Sequence, residues 1–506
     1  MKMFRQINLF LCVVVTVAAC NRKNQVKETP HKEKPYDKGA LAGNMLDSLK
    51  PFYHGVASGD PSSTSVIIWT RVTPEMMNEV DVWYEFANDK NFKEIVKSGV
   101  VKAVNEEDYT VKVDIHELEP DTYYYYRFKA LGGKSITGRT HTLPQDEKDA
   151  TLIFTSCSNY SWGYFYAYDA MSKDTVDAIV HLGDYIYEHG KGTYSSKKLI
   201  RDHVPGKELV TLKDYRTRYS QYRLDPGLMR AHQMHPFITI WDDHELANNA
   251  YVTGAQNHQP EEGDWAKRKN AAMQAYYEWL PVREFEPSHL YRAFDVGKRV
   301  KLVMIDNRMA GRTVQVKSSK DSLYNDPVRA LLGKEQFAWS LAELKSGHTW
   351  KVIGNPVLFG ELKIPGWGNN DFYMDGWDGY PVEKHAWVDS LIRMKQLNIL
   401  FMTGDFHSSL ALKAGYKSFL PWNEFVVPSI SSGNYDEDHS LDFVMEEEKK
   451  FKSVNKNLSF VDLRDHGYVK VRFSKKEAHV NFIYVSSVTE SNYSIVHGPS
   501  FTVTAR

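Results

Sequence analysis

The residues of this chain that could do chemistry gather at the ends of apolar runs. "TLIFTS" (151–156) is followed by Cys157, "AIVHLG" (178–183) by Asp184, Tyr185 and Tyr187, and "FITIW" (237–241) by Asp242, Asp243, His244 and Glu245. "LVMI" (302–305) leads to Asp306 and Arg308, and "ILFMTG" (399–404) to Asp405 and His407. Thiol, carboxylate, phenol and imidazole are the side chains that ligate metals. Two carboxylates about 4 Å apart repel by several kcal/mol at a protein-like dielectric, so Asp242 and Asp243 call for a cation among them or for water. One acidic strand end is ordinary loop chemistry. Several, with mixed ligand types, point to a metal site.

Short apolar runs of this kind are strand candidates, and helical patterns separate them: 163–174, 211–225, 265–280, 333–347 and 385–396. Strand–helix alternation across 146–506 predicts an α/β layered domain whose ligands sit where strand carboxyl ends open into a crevice. Residues 50–145 read differently. "TSVIIWTRV", "VDVWYEFA", "YTVKVDI" and "TYYYYRFKAL" are rich in β-branched and aromatic residues and are broken by turn signals. They predict a small β-sandwich ahead of the α/β domain.

At 506 residues the chain exceeds one ordinary core, and its net charge of −1 gives no support to nucleic-acid binding, nucleic acid as substrate aside. Lys2 and Arg5 precede "INLFLCVVVTVAA" (7–19), a run of secretory length that ends in small residues before Cys20. This resembles a bacterial lipoprotein signal, with an uncleaved signal anchor as the alternative. The lipoprotein reading makes 1–19 a removed peptide, Cys20 the lipid attachment site and 20–49 a flexible tether. The expectation is an exported cell-envelope lipoprotein, facing the periplasm or exterior, held to the membrane by its lipid and taken as a monomer. Cys157 is then the one cysteine left in the folded part. A lone thiol in an oxidising compartment asks for a reason.

"GDYIYE" (183–188), "DDHE" (242–245) and "GDFH" (404–407) stand in the order of the metallophosphatase motifs, GD, then GNH with an acid, then GHxH. The departures at the second and third motifs resemble one branch of that superfamily, the PhoD-like alkaline phosphatases and phosphodiesterases. "HGVASGDPSSTSVIIWTRVTP" (54–74), "SCSNY" (156–160), "TLKDYRTRYSQYRLDP" (211–226), "IDNR" (305–308), "PSISSG" (428–433) and "HGY" (466–468) extend the likeness over residues 52–505. It implies a metallophosphatase-type α-β-β-α catalytic domain (146–506) after a PhoD-type β-sandwich (50–145).

The resemblance also implies cofactors, Fe(III) beside Ca2+, with other divalent metals left open. Cys157 supplies a thiolate to the iron, which explains a thiol kept without a disulfide partner. Asp184 bridges the metals, and His407 binds iron. The phenolate comes from Tyr187, which fits the spacing of purple acid phosphatases, or from Tyr215 in "KDYR"; both stand. Asp243, in the place of the GNH asparagine, and Asp405, in the place of the first GHxH histidine, give the second site the oxygen ligands that calcium prefers. His244 faces the phosphate as hydrogen-bond donor or as acid to the leaving oxygen. Arg308 clamps a phosphate oxygen or pairs with Asp306. Asp242 and Glu245 read as supporting or capping groups, Asn248 as a turn residue, and His232 and His235 as structural. His466 matches the family without a spacing argument.

The expected activity is hydrolysis of phosphate esters by a metal-activated water or hydroxide. The chain has no GxSxG elbow, HExxH helix or Walker loop. Two alternatives remain. One is a phospholipase D-like phosphodiesterase acting on lipid or cell-wall diesters, with Trp367, Trp377 and Tyr380 as a lid. The other is a non-catalytic surface protein that keeps calcium as a staple.

Overall fold

The structure is a computed structural model that describes residues 35–199, 201–284, 289–366, 371–416 and 419–506. The signal peptide, Cys20, most of the tether and Trp367 lie outside the described residues.

Two large sheets carry the site. In the nine-stranded sheet, β1 (Ala150–Thr155), β2 (Ala178–His181) and β3 (Pro236–Thr239) run parallel, with Phe154 opposite Val180 and Val180 opposite Ile238. In the seven-stranded sheet, β4 (Val300–Met304), β5 (Trp350–Asn355) and β6 (Ile399–Thr403) are likewise parallel neighbours. Parallel strands are buried on both faces, which is why these segments read as unbroken apolar runs.

The period of two along each strand sorts those runs into two cores. Leu302, Met304, Val352, Leu400 and Met402 share one core with Leu152, Phe154, Val180 and Ile238, so the two sheets pack face to face. The alternate residues Val303, Ile305, Ile353 and Phe401 pack on Trp387, Val388 and Leu391 of the helix Pro381–Arg393. Helices Leu212–Arg223 and Trp265–Trp279 join the first core through Tyr215, Tyr219, Ala275 and Tyr276. The former starts in a capping box, Thr211 with Asp214. The layering is α-β-β-α, as the resemblance implies.

The N-terminal strands divide between two sheets. Ile95–Ala103, Val80–Ala87, Tyr123–Ala130 and Gly133–Lys134 form a five-stranded sheet of their own with Gly138–His141. Val56–Gly59, Val66–Arg71 and Thr110–Ile115 instead extend the nine-stranded sheet, because Val56–Gly59 pairs in parallel with β3. Val66 and Ile68 point into the N-terminal core while Trp69 points into the main one. One sheet therefore serves both units.

Trp377 and Tyr380 are buried in the second core and form no lid, since both rings pack among Phe359, Trp387 and Leu331. His232 lies in the helix Pro226–Met234, a helix absent from the expected set, and its Nε2 meets the Tyr185 hydroxyl at 2.9 Å. Among the described residues no helix is long and apolar enough to cross a membrane.

Candidate metal centre

Turns just past strand ends deliver the site residues, and four of these residues, on three turns, sit in the left-handed backbone region. Cys157 has φ 59°, Asp184 56°, Asp405 63° and His407 58°. Non-glycine residues pay about 1–2 kcal/mol to sit there, and such strain concentrates at functional sites. Gly183 explains how the β2 and β3 ends come together. Its φ is 106°, and a Cβ there would lie 2.5 Å from that of Asp242. Glycine alone lets Asp184 reach the 242–245 turn.

Among the described residues, three ligand groups that include Asp184 or Asp243 overlap. Cys157, Asp184 and His407 form the first, Asp184, Asp243 and His244 the second, and Asp242, Asp243 and Asp405 the third, with ligand atoms in each group within 4.8 Å of one another. Asp184 belongs to the first two and Asp243 to the last two. In the first group Cys157 Sγ is 3.5 Å from Asp184 Oδ2, and the Tyr187 hydroxyl is 3.2 Å from that oxygen and 3.1 Å from His407 Nε2. Tyr187 thus joins the group. Tyr215 does not. On the helix behind the 242–246 turn, it donates its hydroxyl to the Leu246 carbonyl and accepts from Arg268 Nε at 3.2 Å.

The electrostatics are those of a site built around cations. Burial, then the charge of Asp184, pushes the Cys157 thiol well up. Burial pushes Asp184 well above the carboxylate range, with Asp243 and Asp242 adding to it against an opposing His244. Asp405 is raised likewise by burial and by Asp242 and Asp375. Burial, then Asp184, raises the Tyr187 phenol. Burial takes His407 down to about 3, the neutral form that ligates. Asp242 Oδ2 and Asp243 Oδ1 are buried without a hydrogen-bond partner. Buried polar atoms are nearly always hydrogen-bonded, and a cation is a partner that carboxylate oxygens lacking such a bond accept. The residues present fit metal ions.

Arg308 has a place that neither sequence reading foresees. It is fully buried and does not pair with Asp306, whose carboxylate instead accepts the backbone N–H groups of Arg308 and Met309, each at 2.8 Å. Its guanidinium bonds Asp242 through Nε and Asp375 at 2.8 Å, and lies 3.5 Å from Asp243 and 3.7 Å from Asp405. It is a fixed positive charge under the acidic cluster. Asp375, also paired with Arg312, carries no spacing signal in the sequence.

His244 is held by a carboxylate that the motifs did not single out. Glu188 Oε2 lies 2.7 Å from His244 Nδ1, while Oε1 accepts from Asn248 N at 2.7 Å and Asn257 Nδ2 at 2.8 Å. Burial works against a charged His244, but Glu188, Asp243 and Asp184 outweigh it and raise the imidazole well above its usual range. Nδ1–H is committed to Glu188, which leaves Nε2 for the cavity. Glu188→Gln should lower kcat by roughly a hundredfold with little change in KM. The loss should be larger for esters of weakly acidic alcohols than for p-nitrophenyl phosphate. Equal losses across leaving groups would speak against the acid role that the sequence predicts for His244.

The supporting groups are backbone caps. Glu245, pushed up to about 8 by burial, accepts the N–H groups of Asp184, Tyr185 and Asp242. Asn248 Nδ2 bonds Gln256, and His466 bonds Ser429 Oγ at 2.9 Å and Glu437 at 3.2 Å, apart from the ligand groups. The centre opens into a cavity of about 980 Å³ lined by Asp184, Asp243, His244, Asp405 and His407, with Val314 and Phe406 among its apolar walls.

Known proteins resemble this chain in sequence and fold. The sequence profile of the PhoD-like phosphatases matches residues 152–482, and that of the PhoD-like phosphatase N-terminal domain matches 40–144. Alkaline phosphatase D of Bacillus subtilis (strain 168) is 36% identical over 500 residues, covering 92% of this chain and 83% of its own. A solved structure described as that of PhoD superposes with a TM-score of 0.83 at 33% identity, covering 91% of each chain.

Proposed function

Because this chain belongs to the PhoD-like phosphatase family, we propose that it hydrolyses phosphate esters in the 980 Å³ cavity, with two kinds of metal ion at its floor. The observation that carries this reading is the set of three ligand groups linked through Asp184 and Asp243. Cys157, Tyr187, His407 and Asp184 offer thiolate, phenolate, imidazole and carboxylate, which suit a ferric ion. Asp243 and Asp405, together with the shared Asp184, offer hard oxygen, which suits calcium. Bound there, the cations supply charge that stabilises the phosphoryl transition state and makes an attacking water easier to deprotonate.

The chain's own residues do the rest. Asp184, common to two of the ligand groups, would be the ligand that both cations share. Tyr373 donates to Asp405 Oδ2 at 2.8 Å and fixes that carboxylate. Arg308 anchors Asp242 beneath them. His244, oriented by Glu188, gives its Nε2 proton to the departing alkoxide.

The cavity volume favours a diester as second substrate class, since it leaves room for organic groups on both sides of the phosphorus. We further propose that Cys20 carries a lipid and that the enzyme acts outside the cytoplasm, on the strength of the apolar run and small residues before Cys20. One preparation tests these points. Protein purified from the membrane fraction without chelator should contain iron and calcium, show a visible tyrosinate-to-iron absorption, and yield an N-terminal lipopeptide that begins at Cys20. Chelation should abolish turnover of both p-nitrophenyl phosphate and its bis ester. Undiminished turnover after complete metal removal would reject the reading.

A further inference from the structure

We propose that Tyr194 is a positioning residue for His407: its phenol oxygen fixes the imidazole from the side opposite the ligand group. The inference rests on the metal assignment above and adds a residue from a segment in which no motif was found. Tyr194 lies in the polar stretch "GKGTYSSKK" (190–198), between the GD motif and the helix Leu212–Arg223. Its hydroxyl is 2.9 Å from His407 Nδ1, and the two rings stack at 20° with centroids 6.1 Å apart.

The tautomer follows from the two faces of His407. Nε2 points at the Tyr187 hydroxyl, within the group of Cys157 and Asp184, so Nε2 is the atom that ligates. Nδ1 therefore carries the proton and needs an acceptor. The nearer acceptor is the Tyr194 oxygen at 2.9 Å, and the second is the Gly433 carbonyl at 3.2 Å. An imidazole ligand depends on such a partner for its tautomer and ring orientation.

The surrounding structure holds Tyr194 to this task. Its φ of 49° is a left-handed value that a bulky residue rarely takes. Its carbonyl accepts from Asn159 Nδ2 at 3.0 Å, Trp162 packs against its ring with centroids 4.9 Å apart, and Ser196 N bonds the Ser161 carbonyl at 3.0 Å. Asn159, Ser161 and Trp162 follow Cys157 in the chain, so the turn that presents the thiol also anchors the loop that steadies the histidine.

The test compares Tyr194→Phe, which keeps the stacked ring and loses only the oxygen, with Tyr194→Ala. Tyr194 is partly exposed at the cavity edge, and the phenylalanine variant leaves the core packing in place. Iron release to a ferric chelator, followed by decay of the visible band, should be about tenfold faster in Tyr194→Phe. Its kcat should fall about tenfold with KM unchanged, and its metal-free form should melt with the wild type. Iron release and kcat at wild-type values in Tyr194→Phe would overturn the proposal, and so would defects confined to Tyr194→Ala, which would assign the role to stacking. Wild-type enzyme without iron or a visible band would instead reject the metal assignment beneath it.

Discussion

Asp184→Asn should abolish hydrolysis and, in the same protein, stabilise the metal-free fold. Asp184 is common to the thiolate group and to the hard-oxygen ligands it shares with Asp243, so its loss disrupts two cation positions at once. If those cations supply several kcal/mol of transition-state stabilisation, kcat/KM should fall by at least about a thousandfold. Without metal the same carboxylate is a burden. It is almost completely buried, and burial with Asp243, Asp242 and Glu245 raises its folded pKa well above the unfolded value. A carboxyl whose folded pKa is raised loses stability as pH rises between the two values, and the whole cost is in force above the folded one. Asparagine keeps the shape and cannot ionise. The metal-free variant should therefore melt a few degrees above metal-free wild type, with the gap widening toward alkaline pH. Calorimetry on both chelated proteins, beside a p-nitrophenyl phosphate assay, checks the two halves. Retained hydrolysis would remove Asp184 from the centre, and a lower melting point would deny that its charge is strained there.

What could be read from the sequence, and what could not, divides along a physical line. Parallel strands buried on both faces leave apolar runs, and an aspartate directly after such a run is conspicuous because its burial is costly. Asp184, Asp243 and Asp405 were legible for that reason, as was the α/β layering. The sharing of one sheet by the N-terminal unit and the catalytic unit was not, because it depends on Ser58 meeting Pro236 across nearly the whole intervening chain. Nor could the sequence choose between Tyr187 and Tyr215. Each has a plausible spacing, and only the fold shows that the Tyr187 hydroxyl lies beside Asp184 and His407 while that of Tyr215 bonds the Leu246 carbonyl. Glu188, Asp375 and Tyr194 gave no local signal. A glutamate after a tyrosine, an aspartate in a glycine-rich loop and a tyrosine among serines look like surface residues until tertiary contacts bury them.

Arg308→Met tests whether the group of Asp242, Asp243 and Asp405 depends on a protein cation as well as on metal. Arg308 is fully buried, and its removal leaves Asp242, Asp243, Asp375 and Asp405 facing one another, with Arg312 still beside Asp375. Removing one partner of a buried ion pair costs about 3–5 kcal/mol, because the charge left behind has no compensation. For a unit of this size that is a melting point lower by roughly 4–7 °C. The deficit should depend on pH in a definite direction. Burial already raises Asp242 to about 6 against the pull of Arg308, and Asp405 is raised well above the carboxylate range. These groups lose stability as pH rises from the unfolded carboxylate value up to their folded values, so the variant should come closest to wild type in acid and fall furthest behind at alkaline pH. Asp242→Asn in the Arg308→Met background should restore part of the loss, since it removes one of the stranded charges. Calcium should restore another part by occupying the same group. A guanidinium used to clamp the substrate would behave differently. Its loss would raise KM and leave the melting curve where it was, and that result would take Arg308 out from under the carboxylates and return it to the phosphate.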